Sequence, residues 1–117
     1  MKLVILSALI ALFSLSGCKS TPPMYEYNNY AESYYSLKKS TSDESYKEWK
    51  ISLEAIIELS NEKSMRVPPG VYANLGYIHL KANNQEQAIQ YFEQEKSIYP
   101  ESEKFMNSLI KKTKLQG

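Results

Sequence analysis

The chain has few of the residue types on which many protein sites depend. It contains one cysteine, one histidine and four scattered glycines in 117 residues. A single cysteine cannot form an internal disulfide, and a zinc site needs about four ligands, mostly His and Cys. No glycine-rich stretch offers the backbone amides that cradle phosphates. These shortages exclude disulfide-stapled, zinc-binding and phosphate-loop proteins, and we expect no cofactor.

The chain also lacks an excess of charge of either sign. All 13 acidic residues and all but one of the 14 basic residues follow Gly17, the exception being Lys2. The side chains after Gly17 therefore balance, which excludes nucleic-acid binding by electrostatic attraction to phosphates. The roughly 100 residues after Gly17 suffice for one small domain with its own core.

The first residues have the layout of a secretory signal. Lys2 precedes an almost uninterrupted apolar run over residues 3–15, and small residues then lead to Cys18. The run is shorter than the ~20 residues of a transmembrane helix, which argues against an uncleaved membrane helix with an incidental cysteine. Leu15-Ser16-Gly17-Cys18 resembles the lipobox that the lipoprotein signal peptidase cleaves.

The resemblance to a lipobox implies a lipid anchor. Diacylglycerol would be attached to the Cys18 sulfur, cleavage would follow Gly17, and the new amino group would be acylated; two or three acyl chains hold a protein stably on a membrane. We therefore predict a signal peptide over 1–17, a lipidated tether over 18–24 and a domain over 25–117. Lys19 stands where an inner-membrane retention signal has Asp, which favours the periplasmic side of the outer membrane.

The remainder of the chain has helical periodicity and no strand-like alternation. Five helices are predicted, with starts and stops set by capping residues, prolines and asparagines. They span 27–39, a segment from a Thr41–Glu44 capping box to about Ser60, a segment from Pro68 to about Ala82, a segment from Asn84 to Tyr99, and a segment from Ser102 to Lys112, with 61–66 as a loop.

Residues 72–100 resemble one tetratricopeptide (TPR) repeat, whose pattern is W-x2-L-G-x2-Y, A-x3-F and P. The matching positions are Tyr72, Leu75, Gly76, His79, Ala88, Phe92 and Pro100. Glu95 stands where the family usually has a small residue. The resemblance implies two closely packed helices, with the last predicted helix as a cap. The fold expected is all-α, a small TPR-like bundle.

The side chains of this chain indicate packing and contact rather than catalysis. His79 stands at an aromatic position of the TPR pattern, and Glu93 with Glu95 are interpreted as solvated surface. We therefore expect no enzyme and no small-molecule substrate. Tyrosine is abundant, with ten copies. Tyr35, Tyr77 and Tyr91 lie off the apolar stripes and are candidates for a partner surface.

The chain after the signal also resembles a family of small Gram-negative lipoproteins of uncharacterised function. The similarity rests on Val67-Pro68-Pro69-Gly70-Val71-Tyr72-Ala73, Gly76-Tyr77 and Tyr99-Pro100-Glu101-Ser102 with Phe105-Met106. Such proteins are typically encoded beside a lipoprotein similar to the curli secretion pore and a second small lipoprotein. The resemblance implies work in an envelope complex and supplies no activity. The lipobox, together with a helix pair that has no catalytic residues, predicts a scaffold or accessory subunit of an envelope assembly, with other envelope lipoproteins as partners. A pilotin-like chaperone for a pore subunit is the alternative, and an envelope enzyme has least support.

Overall fold

The computed structural model describes residues 17–18 and 20–116 and is all-helical over these residues. Its five α-helices confirm the expected small helical bundle. They are α1 (Tyr30–Lys39), α2 (Asp43–Glu62), α3 (Val71–Lys81), α4 (Gln85–Ile98) and α5 (Glu103–Leu115), with a 3-10 turn at Pro100–Ser102 between the last two. The predicted signal peptide, including Leu15 and Ser16, and Lys19 lie outside the described residues.

The helix boundaries follow local capping chemistry. The side chain of Ser42, not Thr41, accepts the Ser45 amide at the start of α2, and this helix extends two residues into the predicted 61–66 loop. Asn84 caps α4 as predicted, because its side chain accepts the Gln87 amide. The first helix starts three residues later than predicted, at Tyr30.

The helices pack in chain order, each mainly against the one before and the one after it. Short connections between α1 and α2 and between α3 and α4 make two consecutive helix pairs, and α5 covers the second pair. This order of contacts resembles that of helical repeat proteins, in which each unit contacts only its neighbours. The two ends of the series are therefore open.

Two groups of buried side chains form the core. The larger group joins α2 to α3 and contains Trp49, Leu53, Ile56, Val67, Val71, Leu75 and Ile78. The smaller group joins α4 to α5 and contains Ala88, Phe92, Met106 and Ile110. Between the groups, a Cβ atom on Gly76 would lie 2.5 Å from Cε1 of Phe92. Only glycine therefore allows α3 to approach the buried Phe92 ring of α4 so closely.

Glu95 is the main departure from expectation. The interpretation of Glu95 as solvated surface is wrong, because its side chain on α4 is 3% exposed. Oε1 accepts the Gly70 amide at 2.7 Å, and Oε2 accepts the Ala73 amide at 3.3 Å. Gly70 is the N-cap of α3 and has a positive φ of 86°, which suits glycine. Glu95 thus satisfies two free amides of α3 and places a negative charge at the positive end of its dipole.

Tyr99 makes a second tie between the end of α4 and the segment before α3. Its hydroxyl donates to the Val67 carbonyl at 2.6 Å, and the Arg66 guanidinium lies 5.6 Å from the centre of its ring. Burial, with a contribution from Tyr25, raises the pKa of Tyr99 above its ordinary value. Residues 67–73 are therefore fixed to α4 at both ends.

His79 is partly buried, and its ring lies 5.3 Å from that of Tyr91. Its Nε2 atom is buried without a hydrogen-bond partner among the described residues. Burial, assisted by Lys50 on α2, lowers the pKa of His79 below its ordinary value, while Glu54 opposes the shift. The imidazole is consequently neutral near pH 7.

We expect Glu95→Gln to lower the free energy of unfolding by about 1.5–3 kcal/mol, because an amide has one acceptor oxygen for two backbone donors. Urea unfolding followed by the fluorescence of Trp49, the single tryptophan, measures the change. Glu93→Gln is the matched control, since Glu93 is half exposed and two residues away; we expect a change within about 0.5 kcal/mol. Equal effects of the two substitutions would contradict the role of Glu95.

We expect the wild-type chain to lose more stability than His79→Phe when the pH falls from 7.5 to 5. A histidine with a lowered pKa binds its proton more readily in the unfolded chain, so stability falls as the pH drops below the unfolded pKa of about 6.5. The difference in slope cannot exceed about 1.4 kcal/mol per pH unit, the limit for one proton. Urea titrations across this pH range test it, and parallel curves for the two proteins would refute it.

Candidate interaction surface

The segment before α1 is held against the domain. Gly17 and Cys18 are exposed, as are residues 20–24, whereas Tyr25 and Glu26 are partly buried. Glu26 forms an ion pair with Lys63 at the end of α2, and this hydrogen bond lowers the pKa of the Glu26 carboxyl. The chain therefore leaves the domain at a fixed point close to the C-terminal end of α2.

Aromatic rings run from this segment into the core. The rings of Tyr25 and Tyr27 lie 6.1 Å apart, and those of Tyr27 and Tyr30 lie 5.8 Å apart, both edge to face. The rings of Tyr30 and Tyr34 then approach that of Trp49, at 4.8 and 5.3 Å. Such pairs add about 0.5–1.5 kcal/mol each beyond burial. The tyrosines of α1 that pack on Trp49 are thus part of the fold.

A cleft of about 270 Å³ opens where α1, α2 and α3 meet. Its lining consists of Tyr34, Leu37, Lys38, Thr41, Tyr46, Trp49, Asn74 and Tyr77. Two tyrosines remain accessible, with Tyr34 40% and Tyr77 45% exposed. A lysine lies over each of these rings: Lys38 is 5.5 Å from the centre of Tyr34, and Lys81 is 5.6 Å from that of Tyr77. The cleft therefore presents aromatic faces with positive charge beside them.

A second cleft of about 470 Å³ lies between α2 and α3, next to the first. Its lining consists of Thr41, Asp43, Tyr46, Lys47, Lys50, Ile78, Lys81 and Ala82. Thr41 and Tyr46 line both clefts, so the two adjoin at these side chains. The lining of the second cleft has three lysines and one acid, and two of these lysines, Lys47 and Lys50, are paired with Glu44 and Glu54 at 3.7 Å. We call the two clefts together the aromatic–lysine groove.

The three tyrosines chosen from sequence do not form one surface. Tyr77 lines the aromatic–lysine groove, while Tyr35, although 71% exposed, lines neither of its clefts. Tyr91 is partly buried, with its ring stacked 6.2 Å from that of Tyr72. Burial raises the pKa of both Tyr72 and Tyr91, so their hydroxyls remain protonated. Of the three, Tyr77 alone is placed to bind a partner in the groove.

Sequence reasoning missed Tyr34, Lys38 and the second cleft. Tyr34 shares a helical stripe with Tyr30 and Leu37, a spacing typical of a buried helix face. In the structure this stripe faces the junction of α1, α2 and α3, and Tyr34 is 40% exposed there. A signal existed in the spacing of Tyr34 and Lys38, which places a cation one turn from the ring.

The remaining TPR positions divide between core and surface. Leu75, Gly76, Ala88 and Phe92 are buried, and Tyr72 and His79 are partly buried. Pro100 is exposed and begins the 3-10 turn that leads into α5. Within residues 17–18 and 20–116, no group of three or more His, Cys, Asp or Glu side chains could hold a metal ion. None of the helices described in this part of the chain is long and apolar enough to cross a membrane.

Comparison with known proteins gives one family. Residues 24–109 match the family model described as Domain of unknown function (DUF4810), which covers α1 to α4 and the first half of α5. No curated protein and no solved structure matches the chain significantly. The matched segment contains both helix pairs and the aromatic–lysine groove. The chain belongs to the DUF4810 family.

Proposed function

We propose that this protein is a lipid-anchored outer-membrane scaffold, a non-catalytic accessory subunit that binds another envelope protein through the aromatic–lysine groove. The observation that supports this most directly is the pair of accessible tyrosine rings, Tyr34 and Tyr77, held on packed helices beside lysines. Tyrosine in a preformed depression is typical of the few side chains that dominate binding energy at protein interfaces.

Contacts within the groove favour an interaction surface that is already formed before a partner binds. Tyr34 contacts the buried ring of Trp49, and Asn74 is hydrogen-bonded to the Gly70 carbonyl at 2.8 Å. The Asn74 amide also donates to the Tyr30 hydroxyl at 3.4 Å, which links α3 to α1. Side chains fixed before binding lose little conformational entropy when a partner arrives. A partner that covers the two rings therefore gains most of their interaction energy.

The anchor is supported by the order of residues around Cys18. The apolar run, the Leu-Ser-Gly-Cys sequence and the exposed Cys18 fit a processed lipoprotein, and a short segment separates Cys18 from the domain. Because Glu26 and Tyr25 hold the chain at the C-terminal end of α2, the lipid would keep that end of the domain near the bilayer. The resemblance to lipoproteins encoded beside a curli-secretion-like pore lipoprotein suggests an envelope complex as the setting.

Radioactive or alkyne-tagged palmitate fed to cells should label the wild-type protein, and Cys18→Ala should abolish the label. Cys18 is the one cysteine of the chain, so no second thiol can carry the lipid. Mass spectrometry of the membrane form should show an N-terminus at residue 18 with added acyl mass. An unprocessed N-terminus, or label retained in Cys18→Ala, would contradict the anchor.

Tyr34→Ala combined with Tyr77→Ala should reduce partner capture from detergent-solubilised envelopes about 30-fold, the loss that corresponds to about 2 kcal/mol. The tagged full chain is the bait, and quantitative mass spectrometry measures co-purified lipoproteins. Tyr35→Ala is the matched control, an exposed tyrosine on the same helix as Tyr34 that lines neither cleft. Equal capture by the double variant and wild type, or equal loss with Tyr35→Ala, would overturn the assignment.

A pilotin-like chaperone is the second candidate, favoured by the second cleft. This cleft is open, with Ile78 and Tyr46 as apolar contacts and three lysines at its sides, a form that suits an extended client segment with acidic residues. The two functions differ in what happens without the protein. A chaperone's pore client is mislocalised in a deletion strain, whereas a scaffold's partners reach the outer membrane and fail to assemble.

A further inference from the structure

The two ends of the helix series carry exposed apolar side chains and opposite charges. In a solenoid the end units need polar outer faces, because nothing packs on them. Here Ile51 at the α1–α2 end is 65% exposed, and Phe105 on the terminal helix α5 is 64% exposed. A single exposed apolar side chain is common on protein surfaces, so the case for an interface depends on the charges around Ile51 and Phe105.

The α1–α2 end is acidic. Glu44, Glu48, Ile51, Ala55, Glu58 and Glu62 recur at intervals of four and three residues, so they form one stripe along α2. A groove of about 410 Å³ opens beside the middle of this stripe, where Glu48, Ile51 and Ala55 of α2 line it together with Glu32 of α1. No lysine or arginine lines this groove. Among the described residues, neither Glu32 nor Glu48 has an ion-pair partner within 4.0 Å.

The α5 end is basic. Helix α5 contains Lys104, Lys111, Lys112 and Lys114 but one acid, Glu103. Its buried side is formed by Met106, Ile110 and Thr113, so Phe105, Ser108, Lys112 and Leu115 make up an outward face at intervals of three and four. Within the part of the chain that the structure describes, none of the α5 lysines is in an ion pair. Two apolar side chains flanked by uncompensated lysines thus point away from the domain.

We propose that a second copy of this chain docks the outer face of its α5 along the α1–α2 groove, so that molecules associate head to tail. Phe105 covers Ile51 and Ala55, while the lysines of α5 meet the glutamates of the stripe. The stripe is long enough to seat the helix, because the 13 residues of α5 extend about 20 Å and the stripe from Glu44 to Glu62 extends about 27 Å. The positive charges of α5 and the negative charges of α2, which balance within one chain, are thus complementary between two chains.

Head-to-tail docking is heterologous, so it continues from copy to copy until a ring closes or a filament ends. It leaves Tyr34 and Tyr77 of every copy accessible, because the aromatic–lysine groove opens where α3 joins α1 and α2. The inference rests on the open ends of the helix series and does not depend on lipid attachment or on a particular partner of that groove.

Photo-crosslinking of the full-length chain in the membranes of producing cells tests the docking. Phe105→p-benzoylphenylalanine places the probe on the exposed face, and Leu115→p-benzoylphenylalanine is a second position should the first variant fail to fold. We expect a ladder of dimers and larger products whose crosslinked peptides map to residues 43–62. Lys111→Glu with Lys112→Glu should reduce the yield at least about tenfold, through like-charge repulsion, and Lys111→Arg with Lys112→Arg should retain it.

The decisive arm mixes two reversed copies. Lys111→Glu with Lys112→Glu in the probe-bearing copy should again crosslink to a differently tagged copy that carries Glu48→Lys with Glu58→Lys. Crosslinks to lipid, to a different protein alone, or between two α5 helices would overturn the proposal, as would failure of the charge-reversed pair to recover the product. Loss of the groove partner in Tyr34→Ala/Tyr77→Ala with an unchanged ladder would separate this association from the proposed function.

Discussion

The buried carboxylate of Glu95 joins α4 to the start of α3, and the rest of the structure depends on this contact. A capping box normally uses two side chains of one helix end to satisfy amides of its first turn. Here one side chain from a different helix accepts both the N-cap amide of Gly70 and the third-position amide of Ala73. The start of α3 is thereby fixed by α4, 25 residues away along the chain. Tyr99, one turn later, fixes Val67 in the same way.

Fixing α3 determines the shape of the aromatic–lysine groove, through which we propose that a partner binds. Gly76 meets the Phe92 ring on one side of α3, and Asn74 reaches the Tyr30 hydroxyl on another. Tyr77 then lines the same cleft as Tyr34 and Lys38 of α1, because α3 cannot rotate without breaking these contacts. The aromatic–lysine groove therefore depends on the two hydrogen bonds from the start of α3 to Glu95, which we call the clamp. Our proposal of a scaffold depends on this preorganisation.

Local signals predicted the helices well because capping, proline and periodicity act within a few residues. The pattern of Gly76, Ala88 and Phe92 predicted the contact between α3 and α4, because helices that pack closely combine small and large side chains where they touch. Glu95 was misinterpreted for a physical reason. A carboxylate is buried only where hydrogen-bond donors are available to it. The donors to Glu95 are backbone amides, which every residue except proline has, so the sequence does not indicate them. A glutamate at a position where the TPR pattern has a small residue was the available clue.

The candidate surface was less predictable than the fold. Tyr35, Tyr77 and Tyr91 were equivalent in sequence, since each lies off a hydrophobic stripe. Whether a tyrosine is exposed depends on the ring that stacks on it, as Tyr72 does on Tyr91, and on the length of the neighbouring helix. The opposite charges of the two ends of the helix series could not be predicted either, because they become apparent only when the order in which the helices pack is known, and composition does not give that order.

Amide hydrogen exchange of the full chain tests the clamp most directly. Gly70 and Ala73 lie before or within the first turn of α3, where amides ordinarily have no intrahelical acceptor and exchange quickly. Because both amides donate to the buried Glu95 carboxylate, we expect them to exchange as slowly as amides in the middle of α4. Exchange at the rate of the exposed first-turn amide of Glu86 would contradict the clamp, and with it the preorganised groove.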